Sequence, residues 1–348
     1  MRNLYLLISI LLLSSVPVQA QLIDVVTGIS NPARLFLNGN DLYYSTTSEI
    51  FKVDITQSSP TPILVVDGLN GAVGMAIGGN TLYFTEFNLG RISKINITDP
   101  TPTVETVIAG LNTPANLFLS GNTMYFSDNN SDIVAKFDVT DPNPIPIIVA
   151  TSTFNFNPSG LALQGNILYM GQGQANRVSK VDVTSGVTQP TDVVVGVNRP
   201  LGIRVIGNNL IIAEYIGNKV SIKDLTDGSN TAVDLVTGVN GPLDIEVAGS
   251  TIFILEKGTN KISKVENILG LDQVSLKTII TLYPNPALSV IQISNLETTL
   301  TYSIYNLVGA KIMDGTMQPN ESINVETLAT GVYIFKTQDG KTMKFVKN

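Results

Sequence analysis

The sequence predicts an all-β chain with two folded parts. A six-bladed β-propeller closed by an N-terminal strand comes first, then a small seven-stranded, immunoglobulin-like β-sandwich. Three observations lead there. A Gly-Asn pair recurs at Gly39-Asn40, Gly79-Asn80, Gly121-Asn122, Gly165-Asn166 and Gly207-Asn208, with a variant at Gly249-Ser250, in steps of 40, 42, 44, 42 and 42 residues. Short alternating runs rich in Val, Ile and Tyr surround each pair. No long segment carries the period of an amphipathic helix.

Each repeat supplies four such runs. Arg34-Leu35-Phe36-Leu37 precedes a Gly-Asn pair, and Leu42-Tyr43-Tyr44 follows it. Ile92-Ser93-Lys94-Ile95 is a third run, and Ile63-Leu64-Val65-Val66 is a fourth. Period-two alternation over a few residues reads as strand. Gly-Asn between two strands suits a tight hairpin, because both residues tolerate positive φ. Four strands in about 42 residues is the unit of a propeller blade. The last repeat has only three runs, within residues 243–247, 251–255 and 261–265. The spare run Leu22-Ile23-Asp24-Val25-Val26 resembles the fourth run of other repeats: Asp24-Val25-Val26-Thr27-Gly28 parallels Asp234-Leu235-Val236-Thr237-Gly238. It is expected to complete the last blade, which would protect sheet edges and tie the ring shut.

These units resemble the six-bladed propeller superfamily that includes NHL-repeat, gluconolactonase-like and YWTD proteins. The resemblance spans roughly residues 22–267. Its clearest lines are Asn80-Thr81-Leu82-Tyr83-Phe84-Thr85-Glu86 with Gly90-Arg91-Ile92-Ser93-Lys94-Ile95, and Pro158-Ser159-Gly160-Leu161-Ala162-Leu163-Gln164-Gly165-Asn166. Gluconolactonase-like members hold a catalytic divalent metal with Asn and Asp at first-strand starts. The matching positions here are Ser159 and Leu201, which lack the amide and the carboxylate. Peptide-amidating lyases of the NHL type need His, and the chain has none.

Both ends read as addresses. Arg2, the apolar run over residues 4–13 and the small-residue end Val18-Gln19-Ala20 form a cleavable secretory signal peptide, residues 1–20. The apolar run is too short to span a bilayer, so no transmembrane segment is expected in the mature protein. The propeller is assigned residues 21–267 and a linker residues 268–280. Seven short runs with turn signals between them then fill residues 281–348. This tail resembles the type A C-terminal sorting domain of the type IX (Por) secretion system of Bacteroidota. The matching residues are Tyr283-Pro284-Asn285-Pro286, Tyr305-Asn306-Leu307-Val308-Gly309, Gly331-Val332-Tyr333 and the basic end with Lys344 and Lys347. The resemblance implies recognition by the type IX machinery, passage through the outer membrane, then removal of the tail. The cargo would be secreted or held at the outer-membrane surface.

Composition narrows the chemistry. The chain has no Cys, no His and no Trp, and a formal charge of -7. Removing the signal peptide leaves 20 basic against 28 acidic side chains. An acidic surface repels phosphate backbones, which argues against a nucleic-acid partner. Without Cys or His, a metal site would need oxygen ligands, so calcium is the one cofactor left open. No catalytic residue is marked by a motif.

Loops leaving second strands and leading into first strands gather on one end of the blades. The binding candidates there are Glu86, Asn88, Asp128, Asn129, Asp132, Glu214 and Glu256, joined by Arg34 and Asp244 in the first strands. Carboxylates and amides around such a mouth would suit sugar hydroxyls or calcium. Glu86, Asp128, Glu214 and Glu256 occupy one equivalent step of four repeats, and a residue repeated in that way commonly serves the blade itself. Asp132, Arg34, Arg204 and Asp244 read as departures from the repeat. The preferred function is a secreted or cell-surface module binding a glycan, peptide or protein. The alternatives are a calcium-dependent sugar-lactone hydrolase-like enzyme and a structural adhesion or envelope component. The signal-peptide reading predicts that mass spectrometry of the exported protein finds Gln21 as its first residue; an N-terminus that retains residues 1–20 would refute it.

Overall fold

The computed structural model describes residues 21–152, 156–266, 282–293, 296, 299–307, 309–318, 321–338 and 342–348. The expected signal peptide and the expected linker lie outside the described residues. The described chain is all-β, with one short 3-10 turn at Phe87–Leu89. None of its helices is long and apolar enough to cross a membrane.

Strand β1, Leu22–Thr27, precedes six antiparallel four-stranded sheets. Sheet one holds β2 to β5 (Pro32–Asn38, Asp41–Thr46, Ile50–Asp54, Ile63–Val66). Sheet two holds β6 to β9 (Ala72–Gly78, Thr81–Glu86, Arg91–Asn96, Glu105–Ile108). Sheet three holds β10 to β13 (Pro114–Ser120, Thr123–Asp128, Ile133–Asp138, Ile147–Thr151). Sheet four holds β14 to β17 (Pro158–Gln164, Ile167–Gln172, Arg177–Asp182, Thr191–Val195). Sheet five holds β18 to β21 (Pro200–Ile206, Asn209–Glu214, Lys219–Asp224, Val233–Thr237). Sheet six holds β22 to β24 (Pro242–Ala248, Thr251–Glu256, Lys261–Val265), and β1 pairs antiparallel with β24 as its fourth strand.

The first two strands of each sheet are joined by a two-residue turn. Gly39, Gly79, Gly121, Gly165, Gly207 and Gly249 take φ of 55–60°, while the Asn or Ser after each stays out of the left-handed region. A glycine at the first turn position is the mark of a type II′ hairpin turn. Only that position demands glycine, which explains why Ser250 can stand where the other repeats have Asn. At the end of each third strand a second turn recurs. The side-chain oxygens of Asp54, Asn96, Asp138, Asp182 and Asp224 each accept bonds from the N–H and hydroxyl of the Thr two residues on, at 2.6–3.0 Å.

The sheets pack face to face in sequence order. The cluster of Tyr43, Leu82, Phe84 and Ile95 joins sheets one and two, and that of Tyr83, Phe126 and Phe137 joins sheets two and three. Equivalent clusters fill the next three seams, and Leu35, Tyr44, Leu243 and Phe253 join sheet six to sheet one. The first strands touch in the same cyclic order, including β22 with β2. A Phe of this kind, fully buried, contributes roughly 1.5–3 kcal/mol through apolar burial.

Gly74, Gly160 and Gly202, each the third residue of its first strand, let the neighbouring first strand approach closely. A Cβ on Gly74 would lie 2.6 Å from the Ala115 carbonyl oxygen, and one on Gly160 would lie 2.4 Å from that of Leu201. Hydroxyls of the second strands stitch the same gap. Ser45 Oγ donates to the Val73 carbonyl at 3.0 Å and Ser127 Oγ to that of Ser159 at 3.2 Å. Where Gly171 replaces the hydroxyl, Ser159 Oγ donates to the Pro200 carbonyl at 3.0 Å instead.

The tail forms two further sheets. Leu282–Tyr283 (β25), Val290–Ile293 (β26) and Ser322–Asn324 (β29) make one; Leu300–Asn306 (β27), Lys311–Met317 (β28), Gly331–Thr337 (β30) and Thr342–Lys347 (β31) make the other. Ile291, Ile293 and Ile323 of the first sheet and Ile304, Phe335 and Phe345 of the second share one buried cluster.

Deleting Leu22–Thr27 strips β24 of one of its two partners and exposes the pocket of Val26, costing roughly 3–5 kcal/mol. At about 2–4 °C per kcal/mol for a unit of this size, the melting temperature is expected to fall by about 10 °C. An unchanged melt, followed by circular dichroism, would show that β1 contributes nothing.

Candidate functional site

The last residue of each second strand is turned into its own sheet. Glu86, Asp128, Glu214 and Glu256 are each 1% exposed. Asn112 and Thr113 donate their N–H groups to Asp128 at 2.8 and 2.9 Å; Asn198 and Asn240 donate to Glu214 and Glu256 at 2.7 and 2.8 Å. From the other side, Ser93, Ser221 and Ser263 of the third strands donate hydroxyls to Glu86, Glu214 and Glu256. Gln172 fills the same step in sheet four and donates to Ser179. These groups fix the loop that leads into the first strand. They lie in separate sheets and do not converge on a shared centre. Burial pushes the Glu86 carboxyl up, but the Arg91 guanidinium and the Ser93 hydroxyl more than offset this and leave it below its ordinary value.

Asp132, read from sequence as a departure from the repeat, occupies a repeated step. Asp132, Asn176, Asn218 and Asn260 all stand just before a third strand with φ of 50–54°. The side chains of Asp132, Asn176 and Asn218 accept N–H bonds from Asn157, Arg199 and Gly241 of the next repeat, at 2.7–2.9 Å. The step favours Asn, Asp or Gly because it is left-handed, and the side chain then staples neighbouring sheets together. Asn88 Nδ2 donates to Asn70 Oδ1 at 2.9 Å. The Asn129 N–H donates to the Thr113 carbonyl at 3.1 Å, while its Oδ1 is buried without a hydrogen-bond partner.

Arg34, Asp244 and Arg204 do come together, and the structure adds Glu246. They stand at the third and fifth steps of the facing first strands of sheets five, six and one. Asp244 is fully buried and accepts the N–H groups of Leu35 and Ile245 at 3.1 and 3.0 Å. Arg204 makes a two-pronged bond to Glu246, at 3.0 and 2.5 Å, and lies 3.5 Å from Asp244. Burial works against the Arg204 charge, but Glu246 and Asp244 more than restore it, so it stays cationic. Arg34 Nη1 donates to the Leu243 carbonyl at 3.0 Å, and its Nε is buried without a partner. Two cations face two anions, so the group is neutral. Sheets five and six carry Ala213 and Leu255 where sheets one to three have the hydroxyls of Ser45, Thr85 and Ser127, and the charged group bridges those two seams. Glu246 was absent from the sequence candidates. Its signal was there: the fifth residue of successive first strands runs Phe36, Ala76, Phe118, Ala162, Arg204, Glu246.

With the carboxylates turned inward, the lead-in end exposes a different chemistry. Arg199 lies over the Tyr215 ring, 5.3 Å from its centroid. Lys257 is exposed at the matching step of the next sheet.

In the tail, the sequence motifs lock onto one another. Asn285 Nδ2 donates to the Lys344 carbonyl at 3.0 Å, and its Oδ1 accepts the Val346 N–H at 2.9 Å. The Ala287 N–H donates to the Val346 carbonyl and the Asn348 N–H to that of Ala287. The segment Tyr283-Pro284-Asn285-Pro286 is thus stitched to β31. Gly309, at φ of 82°, and Asn306, whose Oδ1 accepts the Ala310 N–H at 2.9 Å, shape the turn after β27, the strand that holds Tyr305. Tyr333, two residues after Gly331, stacks on Phe345 at 5.5 Å and donates its hydroxyl to the Ala329 carbonyl. Lys344 is exposed, whereas Lys347 is buried.

Residues 281–348 match the family described as a secretion system C-terminal sorting domain. That tail marks the chain for the type IX system, and so for secretion or cell-surface attachment. The part before it shares its fold with β-propeller structures. Virginiamycin B lyase from Staphylococcus aureus aligns at 17% identity with a TM-score of 0.55, covering 72% of this chain and 99% of that one. A catalytically inactive His-to-Ala variant of that lyase with quinupristin gives 19%, 0.51, 68% and 80%. A chain of a nidogen–laminin complex gives 18%, 0.50, 62% and 80%. No curated protein sequence matches the chain. At these identities the likeness speaks for the fold alone.

The lowered Glu86 carboxyl sets a pH dependence. Folded Glu86 holds its proton less tightly than in the unfolded chain, so its stabilising share is present above the ordinary carboxylate range and is lost as pH falls through the lowered folded value. Glu86→Gln is therefore expected to lower the melting temperature at neutral pH and to differ less from the parent near pH 3. An equal gap at both pH values would exclude the linkage.

Proposed function

We propose that this protein is an exported binding module. Residues 21–267 form a closed six-bladed propeller that is the cargo; residues 268–280 are a linker; residues 281–348 are an immunoglobulin-like address. The observation that carries this reading is the combination of a sorting tail with a repeat unit whose conspicuous carboxylates are consumed by its own backbone. A chain built that way spends its recurring polar residues on rigidity and leaves recognition to the loops of one end. The absence of His supports binding over lyase chemistry, since the related lyase is inactive when one His becomes Ala.

The alternative kept from the sequence is a calcium-dependent sugar-lactone hydrolase. A thermal-shift series on the mature protein with added calcium and with EDTA separates the two. The binding reading predicts no calcium response, together with retention of the protein on a glycan or extracellular-protein array. Calcium-dependent stabilisation of several degrees, accompanied by lactone hydrolysis, would favour the enzyme.

A further inference from the structure

We infer that the mouth over sheets five and six is a subsite for the carboxylate of an acidic sugar. The inference rests on the binding reading and names the class of ligand. Glu86, Asp128, Glu214 and Glu256 are consumed within the sheets, which leaves Arg199 and Lys257 as the charges exposed beside Tyr215. The two cations stand on consecutive, hydrogen-bonded loops. The Tyr215 N–H donates to the Arg199 carbonyl at 3.1 Å, the Lys257 N–H donates to that of Gly241 at 3.0 Å, and a Cβ on Gly241 would lie 3.2 Å from the Tyr215 ring. Leu201, Leu243 and Tyr215 pack in one apolar cluster beneath them.

Arg199 is out of keeping with its position. The step before the first strand is left-handed in five repeats and is filled by Asn31, Gly71, Asn157 and Gly241 in the other four. Those residue types suit that backbone; a long cationic side chain does not. The strain is accepted, yet the guanidinium makes no ion pair among the described residues and lies over the Tyr215 ring. An arginine held flat on an aromatic ring keeps its outer edge free for a two-pronged bond to a carboxylate. Loop N–H groups at this end, such as those of Phe87, Asn129, Tyr215 and Lys257, are already bonded to neighbouring carbonyls. A peptide therefore finds no open strand edge to pair with. Exposed amides of Asn130 and Gln174 elsewhere on the same end suit sugar hydroxyls. These features favour an acidic glycan over an acidic peptide.

The test is isothermal titration of residues 21–348, the chain without the expected signal peptide, with tetragalacturonate, its methyl ester and poly-glutamate, at low and high salt. Tetragalacturonate is expected to bind, its methyl ester at least about tenfold more weakly, and salt is expected to weaken the acid form. Arg199→Gly is expected to cost about tenfold or more, as for loss of one charge-assisted pair. It should also hold or raise the melting temperature, because glycine suits the backbone. Lys257→Gln is expected to cost about threefold, as for an exposed charge. Tetragalacturonate binding that survives Arg199→Gly, or its absence in the parent, would overturn the subsite. Binding of poly-glutamate in preference would overturn the glycan assignment. Retention of a neutral glycan, unchanged by Arg199→Gly, would overturn the subsite while leaving the binding reading intact.

Discussion

The fold depends on how closely neighbouring first strands can approach. At three of the seams two backbones come so close at the third residue of a first strand that no Cβ fits. Gly74 and Gly160 solve this by having no side chain, and a Cβ on Gly202 would lie 2.3 Å from Asp244 Oδ1. Ser45, Thr85 and Ser127 supply hydroxyls that satisfy carbonyls across the gap. At the seams flanking sheet six the solution changes to buried charge. Two arginines and two carboxylates bridge strands whose second-strand partners lack a hydroxyl. Buried charges are tolerable only when paired and hydrogen-bonded, and this group is neutral as a whole.

Much of this order was legible in the residues because strands advertise themselves by alternation and repeats by recurrence. The Gly-Asn turns, the position of each second strand and the shared step of Glu86, Asp128, Glu214 and Glu256 follow from aligning the repeat with itself. Interactions between repeats were harder to read. Asp132 looked exceptional because Gly90 fills its step in the preceding repeat and Asn fills it in the next three. The hydroxyl stitch was hidden because Gly171, Ala213 and Leu255 drop it from the later repeats. The Asp-x-Thr turn is present in four repeats and Asn96-Ile97-Thr98 replaces it in a fifth, a pattern simple to find once the third strands are aligned. In the tail, Asn285 reaches backbone groups 59 and 61 residues further on, a separation at which local pattern says nothing.

The site candidates divide along the same line. Residues that recur proved to be buried and bonded within the sheets, so an outward rim of carboxylates is not what this end presents. Beside Tyr215 the exposed charges are Arg199 and Lys257, on a protein that is acidic overall. A local field opposite in sign to the net charge is a way for an acidic protein to admit an acidic partner. The tail tells the opposite story. Its motif residues build the domain itself, with Asn285, Tyr333 and Gly309 each fixing a turn or a strand contact.

On the reading proposed above, the chain is a cargo with a removable address. Mass determination of the C-terminus of the protein recovered outside the cell tests this most directly. A terminus within residues 267–281 is expected, with the residues before it intact. Recovery of the external protein with residues 281–348 still attached would contradict it.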